Sequence, residues 1–167
     1  MWLFPYEKFT IVSDLKPDEI VRRLQSAIYI PNGNLYKKEY SVYSTKYFVG
    51  YVYEDGFEVK PDINYRNSFL PEINGIIKIC NSGSRINIKM KITTAIIVFL
   101  CLWQAFALFA VIALTVKNIS SGKFDPMTFA PCCLMLFGYL LALFGFKYES
   151  RSSKNILLNL FEGQIED

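Results

Sequence analysis

A serine or cysteine nucleophile needs a base, and this chain has no histidine to supply one. Among the acids, Glu58, Asp62 and Glu72 could form a carboxylate pair for general acid–base work, but nothing in their spacing demands it. The most chemically varied run is Tyr65-Arg66-Asn67-Ser68-Phe69-Leu70, set between Pro61 and Pro71. There Arg66 could hold an anion, Asn67 and Ser68 could hydrogen-bond a ligand, and Tyr65 and Phe69 could frame it. The blander alternative is that Asn67 and Ser68 satisfy backbone groups beside a bulge while Phe69 fills the core. A binding site at Tyr65, Arg66, Asn67, Ser68 and Phe69 is the expectation, with no catalytic residue.

Metal and cofactor chemistry find no footing either. The four cysteines are Cys80, Cys101 and the adjacent pair Cys132-Cys133, and neighbours on a helix point about 100° apart, a poor chelating geometry. They read as small buried hydrophobes. No metal and no cofactor is expected. Leu35 to Lys46 interleaves tyrosines with lysines, a pattern that can stack on bases, but it is short and carries Glu39. With a net charge of only +3, nucleic acid is not an expected partner. A solvated edge or contact with anionic lipid suits the run better.

These residues must be positioned by a chain whose centre is apolar. Ile92–Val116 and Met127–Phe146 are uninterrupted by Asp, Glu, Lys or Arg, and a polar link joins them. A helix rises about 1.5 Å per residue, so each segment can cross a hydrocarbon core roughly 30 Å thick. A transmembrane hairpin is expected over 92–146. Arg85, Lys89, Lys91, Lys147, Arg151 and Lys154 flank it, against Lys117 and Lys123 in the link. The positive-inside rule then puts both termini in the cytoplasm. Lipid headgroup contact is expected of Arg85, Lys89, Lys91, Lys147 and Arg151. Within the spans, Gln104 is the lone amide, and antiparallel register brings it near Tyr139. Gly138 and Ala142 form a small-residue pair, with Gly145 further along, for close helix packing or self-association.

Before the hairpin, the cytosolic segment 1–91 reads as α+β. A strand at Phe9–Ser13 precedes a helix opened by Pro17, with Asp14 as a substitute cap and Ile20, Val21, Leu24, Ala27 and Ile28 on one face. Tyr47–Tyr53 and Phe57–Val59 form a hairpin about Asp55-Gly56. Ile73–Cys80 is a strand interrupted by Gly75. Arg85–Ile92 alternates most clearly and feeds the first span without a linker. After the hairpin, 147–167 is expected to be a cytosolic amphipathic helix whose Ile156, Leu157, Leu160 and Phe161 pack back on the antiparallel sheet. The opening Met1-Trp2-Leu3-Phe4-Pro5-Tyr6-Glu7 lacks a signal-peptide pattern, so the mature chain is expected to begin there.

The element Tyr65-Arg66-Asn67-Ser68-Phe69-Leu70-Pro71 with Gly75 resembles that of small bacterial membrane proteins with two spans. The likeness extends to Pro5-Tyr6-Glu7, Leu15-Lys16-Pro17-Asp18-Glu19, Phe137-Gly138-Tyr139-Leu140-Leu141 and Gly145-Phe146-Lys147. It implies the architecture and a bacterial source, and no activity; together with the two apolar segments, a bacterial inner-membrane location is expected. The expected function is a non-enzymatic membrane protein whose cytosolic sheet binds a partner protein, a lipid headgroup or a second copy of itself. An oligomeric transport or toxin-immunity component is the alternative, and a membrane-bound enzyme the less favoured one.

Overall fold

Strict alternation at Gly83–Ile92 sets the two faces of the sheet. Ser84, Ile86, Ile88, Met90 and Ile92 are buried while Arg85, Lys89 and Lys91 are exposed. The computed structural model describes residues 4–29, 46–80 and 83–166. The tyrosine–lysine run from Leu35 lies outside them except for Lys46. The elements are β1 Tyr6–Ser13, α1 Pro17–Ala27, β2 Ile28–Tyr29, β3 Phe48–Val52, β4 Gly56–Pro61, β5 Pro71–Cys80, β6 Gly83–Ile92, α2 Thr94–Ser121, α3 Phe129–Phe161 and β7 Gln164–Glu166. The sheet order is β2-β3-β4-β5-β6-β1-β7, antiparallel except for the short β2–β3 pair. This is an α+β fold with two helices apolar and long enough to cross a membrane.

One face of the sheet is covered by α1 and the C-terminal half of α3. The core joins Ile11, Phe57, Ile73, Ile86, Ile88 and Met90 of the sheet to Ile20 and Leu24 of α1 and Phe146, Leu157 and Phe161 of α3. Each such side chain contributes roughly 1.5–3 kcal/mol by leaving water, so this layer dominates the local energetics. Polar tethers set the helix positions. The Arg23 guanidinium donates to the Leu160 carbonyl at 3.1 Å and to Glu162 at 2.7 Å. Ser13 Oγ donates to the Phe161 carbonyl at 2.5 Å.

Several local expectations change. Pro17 does open α1, but the N-cap Lys16 makes no side-chain bond and Asp14 does not replace it. Instead Ser13 Oγ accepts from the Leu15 N–H at 3.1 Å. Ile28 leaves the helix to start β2. Gly75 does not interrupt β5. Its missing side chain makes room for the Phe57 ring, whose Cε1 would lie 2.2 Å from an added Cβ. The first long helix begins at Thr94 rather than Ile92, because Ile92 is a fully buried strand residue paired with Pro71. The helix expected after Phe146 continues the second apolar segment: α3 runs unbroken for 33 residues to Phe161, about 50 Å. It is preceded by a 3-10 turn at Pro126–Thr128 whose Asp125 carboxylate accepts from the Met127 N–H at 3.0 Å. β7 hydrogen-bonds to β1 over Thr10–Val12.

The hairpin of α2 and α3 stands beyond the sheet. Only 6% and 11% of the most apolar stretches of its two helices are buried. Phe99, Leu102, Phe106, Phe109, Phe137 and Phe144 are among the large side chains left exposed. The cysteines are exposed rather than buried, Cys80 at the end of β5 and Cys101, Cys132 and Cys133 on the uncovered hairpin.

Candidate functional site

The loop between β4 and β5 is fixed to α3 where the hairpin meets the sheet. Pro61 ends one strand and Pro71 begins the next, which confines the intervening residues to a crossing at the hairpin end. Asn67 organises this loop. Its Oδ1 accepts from the Phe69 N–H at 2.9 Å, and its Nδ2 donates to the Gly145 carbonyl and to Glu149 Oε1, both at 3.2 Å. The first bond is an Asx turn, and the other two tie the loop to the helix. The Tyr65 hydroxyl donates to the same Glu149 oxygen.

Glu149 is the feature that sequence reasoning missed. It is 3% exposed, and an acid so buried requires hydrogen-bond donors. Its bond to Tyr65, then desolvation and the nearby negative charge, push the Tyr65 hydroxyl up to about 12. The available signal was the lone acid that follows Gly145-Phe146-Lys147 in an otherwise apolar-then-basic run. Phe69 packs at the core margin, and a Cβ on Gly145 would stand 3.0 Å from its ring. Three of the expected site residues thus hold α3: Tyr65, Asn67 and Phe69. Arg66 and Ser68 are exposed beside them. A shallow open cavity of about 380 Å³ is lined by Asp62, Ile63, Tyr65, Arg66, Ser68 and other loop residues.

The expected headgroup contacts divide by position. Lys91 adjoins the β6–α2 junction, and Lys89 is one step further along the outer, helix-free face. Lys147 sits at the same end but donates to Glu7 at 2.6 Å, each side chain about one-quarter exposed. Arg151 is exposed on α3. Arg85 is seven residues before Ile92, about 23 Å along an extended strand, and pairs with Glu166 at 2.6 Å. Two of the three candidate acids lie on adjacent strands, and Asp62 follows β4 in the loop. Glu58 faces Asn74, diagonal to Glu72. Glu72 itself accepts from Thr93 at 2.9 Å and pairs with Lys60 at 3.0 Å. Partial burial pushes its carboxyl up, but the bonds from Lys60 and Thr93 and the charges of Lys60 and Lys91 outweigh that and hold it below the usual carboxylate range.

Inside the hairpin, Gln104 does not bond Tyr139. Its Nε2 donates to the Met135 carbonyl at 3.1 Å, while its Oε1 is buried without a partner among the described residues. Gly138 lies against Trp103, whose Nε1 would be 3.3 Å from an added Cβ. Ala107 of α2 and Ala142 of α3 are buried, at 3% and 4% exposure. Small residues are therefore used for the approach of α2 to α3 within one chain. Among the described residues, no group of three or more His, Cys, Asp or Glu gathers in a metal-binding arrangement. No protein family, curated protein or solved structure matches the chain.

Proposed function

We propose that this chain is an integral protein of the bacterial inner membrane, anchored by α2 and α3 with both termini cytoplasmic. It carries a sheet domain held against the inner leaflet, and it acts by binding a partner, a headgroup or a second copy rather than by catalysis. One observation carries the reading: the most apolar stretches of two long helices are almost entirely unburied, yet both helices are continuous with the sheet domain. A soluble core helix would be buried, and lipid is the solvent that suits such a surface. The basic residues flanking the two apolar segments support the orientation.

The coupling is tight at both joints. β6 passes into α2 through Thr93 alone, and α3 enters the core without a break. The loop 62–70 bridges sheet and helix at this level, leaving Arg66 and Ser68 outward for a ligand. Oligomeric transport draws less support, since Gly138 and Ala142 are occupied within the hairpin.

Alkaline carbonate extraction and reporter fusions at each end test the anchoring. The chain is expected to stay in the membrane pellet with both reporters cytoplasmic. Release into the supernatant, or a periplasmic reporter at either end, sinks the proposal.

A further inference from the structure

We propose that Tyr6, Lys8, Lys89 and Lys91 form a site for the anionic headgroup of an acidic phospholipid, on the outer sheet face next to the hairpin. The inference rests on the membrane reading above and deepens it by naming the ligand class and the residues. In β1 and β6, Tyr6 lies opposite Lys91 and Lys8 lies directly opposite Lys89. All four are exposed on the face that no helix covers. Two lysines facing each other across an antiparallel pair repel. The ion pairs at this end are Lys60–Glu72 and Lys147–Glu7. Lys8, Lys89 and Lys91 form no ion pair with a described residue. Glu72 adjoins Lys91 in the register and feels its charge, while its hydrogen bond and ion pair go to Thr93 and Lys60. Glu58 lies beyond Asn74, which separates it from Lys89.

Position decides what anion this cluster meets. Lys91 is one residue from Ile92, where β6 gives way to the hairpin, and Lys89 is about 10 Å down the strand. Lysine side chains extend several ångströms and can lift their ammonium groups to a headgroup layer. Exposed Phe4, Tyr6, Tyr47, Tyr65 and Tyr148 ring the same end, an arrangement suited to a membrane–water interface. Beside the lysines opens a groove of about 470 Å³, lined at its lysine end by Tyr6, Asn74, Asn87, Lys89 and Lys91 and at its far end by the acids Asp55 and Glu58, so an anion belongs at the lysine end. The amides of Asn74 and Asn87 can donate to phosphate oxygens there. Charge, donors and depth fit a phosphatidylglycerol-type monoanion attached to a bilayer rather than a free anion.

The test uses the full chain in an uncharged mild detergent, titrated with short-chain phosphatidylglycerol while thermal unfolding is followed. A saturable rise in Tm is expected, larger than with matched phosphatidylcholine or with inorganic phosphate. Lys8→Gln and Lys89→Gln are each expected to weaken the phosphatidylglycerol response about fivefold. They should also raise the Tm of lipid-free protein, because the repulsion is gone. Lys78→Gln, the same charge removed at the far end of the sheet, should leave the response unchanged. Equal responses to phosphatidylcholine or inorganic phosphate, or equal weakening by Lys78→Gln, overturn the site. Carbonate extraction run in parallel separates the two readings: a chain retained in membranes without acidic-lipid preference defeats this site alone, and a released chain defeats both.

Discussion

Alanine at Asn67 removes three hydrogen bonds at once, and two of them join the loop to α3. It also takes a donor from the buried Glu149 carboxylate. Leaving a buried polar group short of a partner costs about 1–3 kcal/mol, so Asn67→Ala should destabilise the sheet domain by about 2–3 kcal/mol in denaturant titration. Arg66→Ala, one position away and exposed, should stay within about 0.5 kcal/mol. A reversed ranking would make Arg66 the structural residue and Asn67 free for a ligand. The Tyr65–Glu149 bond adds a pH dependence. Tyr65 titrates near 10 when unfolded and near 12 when folded, so the folded state favours its protonated form. The stabilisation is complete below pH 10 and is lost as pH rises from 10 through 12. Wild type should therefore lose more stability than Tyr65→Phe across that interval, measured as the difference between the two curves. The varied chemistry of residues 65–69 was legible in sequence. Its function as a latch was not, because Glu149 is 80 or more positions away and only folding makes it their neighbour.

At the level of elements, the glycines show how packing replaces propensity. Gly75 sits where a strand pattern weakens, and the sequence suggests an interruption. The strand continues because Phe57 covers the gap and reaches Phe161 of α3, ring centres 6.1 Å apart. Gly75→Ala should force that ring aside and cost about 1–3 kcal/mol by overpacking, a loss read in thermal unfolding. Gly138 makes the same point in the hairpin. Its spacing from Ala142 is compatible with either an intermolecular face or an intramolecular one, and only the facing Trp103 decides. Gly138→Leu should splay α2 from α3 and lower the Tm of the chain in detergent. If it instead left Tm unchanged and shifted only the oligomeric state, the small-residue face would be intermolecular. Alternation revealed β6 and periodicity revealed α1, since both patterns are local. β2 and β7, two and three residues long, carry too little pattern to be read. They exist because neighbouring strands offer free edges.

For the molecule as a whole, the apolar stripe at 156–161 already implies that the last helix packs back on the sheet, and the core joins them. Phe146, Leu157 and Phe161 close a layer begun by Ile11, Ile20 and Leu24, so the hairpin is inserted into one α+β unit before its last helix. Composition places the apolar segments, whereas continuity of α3 depends on contacts far away in sequence. Ile92 pairs with Pro71, and the loop that ends at Pro71 bonds the Gly145 carbonyl, which puts the two ends of the insertion at one edge of the domain. A chain in which a linker of about six glycine and serine residues replaces 93–145 should therefore fold as a water-soluble unit, such a linker spanning about 13 Å on average. It would keep the Lys147–Glu7 pair and lose the Asn67–Gly145 bond, so its stability should fall below that of the full chain. The fragment 1–92 has six of the seven strands but lacks α3 and β7, leaving core residues such as Ile73, Ile86 and Met90 partly uncovered. It should aggregate or remain unfolded by circular dichroism and amide exchange. Adding a 146–166 peptide in trans should restore cooperative unfolding to the fragment. If 1–92 folded cooperatively alone, α3 would be a tether to the domain rather than a component of its core.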